Sequence, residues 1–274
     1  MRTTSVGQVV FAATMIGLGV LGLVTGTFPP IWSGVPASLP ARHALAYLCA
    51  VVALAAGAGL LLQRTALTAT RVLLGYLLIW LLLFRIPFVV RNPTSSGLWW
   101  ACGATAVMIA GAWVLFARFA ETRSEPRLHF ATGEAGFKIA RILFGLGLIP
   151  FGIAHFTFFD RTVAMVPAWL PWHTTWASLT GAAFIAAGLA IIFGVYARLA
   201  TALVLLQLAL FTLLVWVPTI LAHPSASDWS EFIESWTLTA GAWVVADSFR
   251  GMAWLSLWSL ARRNQKSEVE AVRA

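Results

Sequence analysis

The first 120 residues of this 274-residue chain contain no aspartate or glutamate; the first acid is Glu121. Charge of either sign is scarce, at 10% of the chain, against 60% hydrophobic residues. A soluble domain of ordinary composition carries about a quarter charged residues, so this chain lacks the means to cover itself against water. Cysteine is nearly absent too. Cys49 and Cys102 lie in apolar segments, which excludes a disulfide framework and a CxxC or zinc spacing. No Walker loop, nucleophile elbow or GxGxxG after a strand is present, so a stored nucleotide and a hydrolytic nucleophile have no support. No transmembrane histidine pair suggests haem, and the two histidines His155 and His173 with scattered acids make no metal site.

What is present is length without charge. Eight apolar segments fall at about 8–28, 43–62, 67–90, 98–118, 137–158, 173–194, 199–221 and 231–249, and about 20 apolar residues suffice to cross a bilayer as a helix. None shows the period-2 alternation that a membrane barrel requires. The first could pass for a secretory signal, but its apolar run continues to Phe28 without a clear cleavage site, and it is expected to be a retained span. Fourteen tryptophans suit a protein with two membrane interfaces. The expected fold class is an all-α membrane protein with about eight transmembrane helices.

An internal repeat organises these segments. Val35-Pro36-Ala37-x-Leu39-Pro40 recurs as Val166-Pro167-Ala168-x-Leu170-Pro171, a shift of 131. At the same shift Ala55-Ala56-Gly57 meets Ala186-Ala187-Gly188, and Pro87 and Pro93 meet Pro218 and Pro224. One residue is then lost, and Ala110-Gly111-Ala112-Trp113-Val114 meets Ala240-Gly241-Ala242-Trp243-Val244. The reading is two tandem four-helix units, 1–118 and 137–262, joined by a polar cytoplasmic linker, 119–136. The second unit is expected to end in an interfacial helix bearing Trp254 and Trp258, followed by a charged tail, 263–274. An even number of spans per unit makes the units parallel, related by a pseudo-two-fold along the membrane normal.

The net charge of +8 has no compact basic patch with interleaved aromatics, which argues against nucleic acid as a partner. The basic residues instead fall between spans. With the N-terminus inside, fourteen lie on the cytoplasmic side and four outside, namely Arg42, Arg85, Arg91 and Arg161. The positive-inside rule therefore places both termini in the cytoplasm of a multi-pass cell-membrane protein.

The second unit resembles the DoxX-like family of bacterial membrane proteins. The likeness is carried by Arg141, Gly145, Gly147, Gly152 and His155-Phe156, then by Met165 to Pro171, Trp176, Thr180-Gly181, Ala186-Ala187-Gly188 and Ala197-Arg198-Leu199-Ala200. It covers about residues 137–247, and the first unit is a weaker copy. The resemblance implies a membrane redox subunit linking a quinone-like carrier to a small thiol or sulfur substrate, with a soluble or membrane redox partner. Two other functions fit the residues: a transporter or lipid- or small-molecule-binding protein without catalysis, and a scaffold for a soluble partner.

Candidate site residues come from charge and aromatics at the outer side. Arg85 lies one to two turns inside the third span, where a cation costs several kcal/mol unless it snorkels or finds a partner. Its unit supplies no carboxylate, so Glu231 or Glu234 is the expected partner across the units, as a docking salt bridge or as the wall of a pocket. His155, Trp169, His173 and Trp176, with Trp172 and Trp229 at similar depth, could line a site for a flat amphipathic ligand or form an ordinary interfacial belt. Cys49 and Cys102 are expected to stay reduced. Asp247 and Arg250, three apart, are expected to pair on the last span.

Overall fold

The computed structural model describes residues 4–120, 131–222 and 224–256. Most of the linker, 121–130, and the end of the chain from residue 257, including Trp258 and the charged tail, lie outside the described residues. Among the described residues the chain is helical, without a strand. The helices are α1 (Val6–Thr25), α2 (Arg42–Leu61), α3 (Ala66–Arg91), α4 (Ser96–Ala120), α5 (Gly133–Thr157), a short α6 (Phe159–Met165), α7 (His173–Phe193), α8 (Ala197–Ala222) and α9 (Ala226–Asp247). Seven of them, all but α6 and α9, are long and apolar enough to cross a membrane. A 20-residue helix rises about 30 Å, the thickness of a bilayer's hydrocarbon core. Helix α9 has the length, at 22 residues, but Asp228, Glu231, Glu234 and Asp247 lower its hydropathy.

Local sequence sets the ends. Ser5 caps α1 by accepting from the Gln8 N–H at 3.2 Å, and Gly26 closes the helix in the left-handed region, at φ 64°. Helices α3 and α8 each contain one π-turn, Leu81–Arg85 and Thr212–Trp216, where Ile86 N–H donates to Leu81 O and Val217 N–H to Thr212 O. Pro87 and Pro218 follow directly. A proline has no N–H to donate and its ring crowds the carbonyl four residues back; the widened turn absorbs both defects without breaking the helix. The two π-turns lie 131 residues apart. So do the starts of α2 and α7, the starts of α3 and α8, and the left-handed residues Ala41 (φ 54°) and Trp172 (φ 59°) that precede α2 and α7.

Packing forms a ring. Helix α1 lies on α2, α2 on α3, α3 on α4, α4 on α5, α5 on α7, α7 on α8, α8 on α9, and α9 returns to α1; α4 and α9 also pack on each other across the middle. The core sits on these two helices, and every residue from Gly103 to Ala112 is buried. The α4–α9 crossing brings Gly111 against Gly241: a Cβ on Gly111 would lie 3.3 Å from the Gly241 carbonyl oxygen. Closer still is the α4–α5 crossing, where Gly103 and Gly147 face each other's carbonyls. In lipid, helices are held by such close packing, not by a hydrophobic force between them.

At the end of the bundle where α1 begins and α9 stops, Asp247 and Arg250 pair at 2.7 Å as expected. Over the described residues 251–256 the expected helical extension is not seen, and the rest of it lies outside the described residues. Helix α9 stops at Asp247 and residues 248–256 run in turns, with Gly251 at φ 87°. Arginines hold this segment by its carbonyls: Arg141 donates to Ser248 O and Arg198 to Met252 O, while Arg198 lies over the Trp254 ring. These carbonyls follow a helix C-terminus, where cations are favoured.

Candidate functional site

Arg85 is buried, 6% exposed, at the last position of the α3 π-turn. It does not meet Glu231 or Glu234. Its Nη2 donates to Ile31 O at 2.7 Å, its Nη1 to Ser33 O at 2.9 Å and its Nε to Thr105 Oγ1 at 3.1 Å. The inter-unit ion pair expected from sequence is therefore corrected. Counting carboxylates omitted the backbone, and a planar guanidinium fork satisfies itself on two carbonyls as well as on an acid. Glu234 is close enough to act on Arg85 electrostatically but instead accepts from Trp100 Nε1 at 2.8 Å. Glu231 pairs with Arg161 at 2.9 Å near the surface.

The two carbonyls that Arg85 grips flank Trp32, which is 1% exposed. The clamp thus fixes one indole, carried by the short 3-10 turn Pro30–Trp32, over a face of α3. Trp32 meets Tyr76 and Trp80 edge-on, with ring centroids 5.4 and 6.3 Å apart. Trp80 also contacts Phe28 at 5.5 Å and Phe84 at 4.6 Å. Tyr76, Trp80 and Phe84 recur every four residues on one helical stripe. Offset and edge-on geometries at these separations are the favourable ones for aromatic pairs. Sequence reasoning missed this cluster. The available signal was Tyr76-x3-Trp80-x3-Phe84, one face of a span rich in large aromatics, but nothing in the chain says that the loop folds back to bring Trp32 there.

The other expected site residues do not converge. His155 is buried and points into the second half of the bundle: its Nδ1 is 2.8 Å from Phe151 O, and its ring stacks on Phe211 and meets Phe184 edge-on. Trp169 and Trp172 are 69% and 75% exposed, Trp176 is exposed, and among the described residues none of them makes a ring contact. His173 is half-buried at the start of α7. The histidine–tryptophan rim is thus not one lining: His155 faces inward while Trp169, Trp172 and Trp176 are exposed. Cys49 and Cys102 are both free, and no group of three His, Cys, Asp or Glu among the described residues could hold a metal.

Thr105 tests the clamp with little disturbance. Its hydroxyl accepts from Arg85 and donates to Ala101 O at 3.0 Å. Thr105→Val keeps the shape but leaves Nε without an acceptor, which should cost about 1–2 kcal/mol of stability in detergent, read from a shifted unfolding transition.

Among the described residues the fold and these contacts define a class: an all-helical protein with seven helices suited to a membrane and a buried arginine, Arg85, organising an aromatic cluster. No family model, no curated protein and no solved structure matches the chain.

Proposed function

We propose that the protein is an eight-span membrane protein of two tandem, parallel four-helix units, 1–118 and 137–262, which binds a small lipid-soluble molecule and does not itself catalyse a reaction. The observation carrying the binding reading is the Arg85 clamp. A guanidinium inside a span is expensive and marks function by default, and here it holds a loop tryptophan against an aromatic face of the first unit. Aromatic walls with few polar groups suit an apolar ligand.

The tandem reading is supported by the spacing of the π-turns and helix starts and by the ring of packing. Under a two-fold between units, α1 and α5 correspond, as do α4 and α9. The contacts obey that exchange: α4 packs on α5 as α9 packs on α1, and the matched glycines Gly111 and Gly241 touch at the α4–α9 crossing. On this reading α9 is the eighth span. It tolerates Glu234 and Asp247 because its buried face looks into the protein and not at lipid. The charge asymmetry places the 26–41 loop outside and both termini in the cytoplasm, in the cell membrane. The DoxX-like resemblance of residues 137–247 leaves the redox-subunit reading as the second one, favoured by the Cys49 thiol beside Tyr76 at the aromatic cluster.

Two experiments test this. A cysteine placed at Ser33 should label from outside intact cells and one at Arg64 only after permeabilisation; the reverse pattern would overturn the orientation. Solvent extraction of protein purified in native-lipid discs should yield one small molecule enriched well above bulk lipid. An extract identical to the surrounding lipid would remove the binding reading.

A further inference from the structure

Four buried side-chain nitrogen or oxygen atoms among the described residues have no hydrogen-bond partner: Arg42 Nε, Tyr76 Oη, Trp80 Nε1 and Asp247 Oδ2. Three of these four belong to the aromatic cluster of the first unit. Trp80 and Tyr76 stand one turn apart on α3 with ring centroids 6.1 Å apart, and Arg42, at the start of α2, lies over the Phe28 ring at 5.5 Å. All three can donate. Trp80 is 2% exposed, so no headgroup or water layer is at hand for its N–H. The Cys49 thiol beside the Tyr76 hydroxyl is a weak acceptor. A buried donor left unmade costs about 1–3 kcal/mol, and native proteins leave few such atoms. Trp80 Nε1 and Arg42 Nε without an acceptor, and Tyr76 Oη with only a thiol, describe the complement of what belongs around these rings.

From this we infer that the first unit holds a binding site, between α2, α3 and the 26–41 loop, for a lipid-soluble molecule whose polar end carries oxygen acceptors, a carbonyl or a carboxylate. This rests on the binding reading above and adds the ligand's polar chemistry and place. The aromatic rings take the ligand's apolar body. Trp80 Nε1 and Tyr76 Oη donate to its oxygens from below, and Arg42 closes over it from the loop side. The rings lie on one another, so binding requires the half-buried Phe28 and Arg42 side chains to move. Arg85 is a positioning residue: it touches no ligand but keeps Trp32 in the wall.

The test is equilibrium binding to the full chain in lipid discs with three probes of similar size: a decyl-substituted benzoquinone, oleic acid and decylbenzene, which has no oxygen. The wild type should retain at least one oxygen-bearing probe and release decylbenzene. Tyr76→Phe removes one donor and, with it, only the weak contact to the Cys49 thiol. It should weaken binding about tenfold while leaving the ligand-free unfolding temperature unchanged or higher, because an orphaned donor has gone. A structural role for the hydroxyl would lower that temperature. Arg42→Met should weaken oleate more than the quinone if the acceptor is a carboxylate, and both alike if it is a carbonyl. Decylbenzene binding as well as the oxygen-bearing probes, or Tyr76→Phe binding like wild type, overturns this inference and leaves the general binding reading standing. Retention of none of the three probes overturns both.

Discussion

Arg85→Ala should lower the stability of the protein in detergent by about 3 kcal/mol or more. The side chain is buried and makes three hydrogen bonds, two of them to the carbonyls of Ile31 and Ser33. Deleting it leaves two acceptors without partners at about 1–3 kcal/mol each and a cavity where the guanidinium lay. It also frees the turn that holds Trp32, so hydrogen exchange should rise across residues 29–41 and stay unchanged at α7. Lysine should recover less than half of the loss, since a point-like ammonium cannot span two carbonyls as a planar fork does. Glu234→Gln should cost under about 1 kcal/mol. Glu234 forms no ion pair, and an amide oxygen still accepts from Trp100. A large, coupled loss in both single variants would restore the salt bridge that the contacts replace.

Gly103→Ala is the second large effect. The added methyl would lie 2.6 Å from the Gly147 carbonyl oxygen and 3.4 Å from the Phe151 ring. The first obstacle is backbone, so α4 and α5 must part along one of the bundle's main contacts. Overpacking of this kind costs about 1–3 kcal/mol in an ordinary core. Here the upper end is expected, because α4 is the most buried of the seven candidate spans and close packing is what holds helices in lipid. Gly75→Ala is the control, since a methyl there meets nothing within 4 Å; it should be neutral or mildly stabilising. Unfolding by a denaturing detergent, followed by circular dichroism, separates the two.

The helices were legible because length and apolarity are written directly in the chain. The third apolar segment, read as 67–90, folds as Ala66–Arg91, and the sixth, read as 173–194, as His173–Phe193. The fifth begins earlier than its apolar run, at Gly133, since helical structure does not require apolar residues along its whole length. That Arg85 lies inside the third helix was legible too. Its partners were not, because carbonyls belong to every residue and only folding decides which ones a loop presents. Trp32 shows the same limit: a loop tryptophan reads as interfacial until the clamp turns it inward. Up to residue 256 the last helix is shorter than Trp254 suggested, because the chain leaves the helix after Asp247 and passes Gly251 in the left-handed region.

A density map of the protein in its native lipid tests the central claim most directly. It should show a non-protein feature against Trp80 and Tyr76, with an oxygen-bearing end within about 3 Å of their donors and Arg85 still on the Ile31 and Ser33 carbonyls. A ligand seated instead at Trp169 and Trp176, or a filled site elsewhere with the Phe28–Trp80 cluster closed and empty, would contradict it.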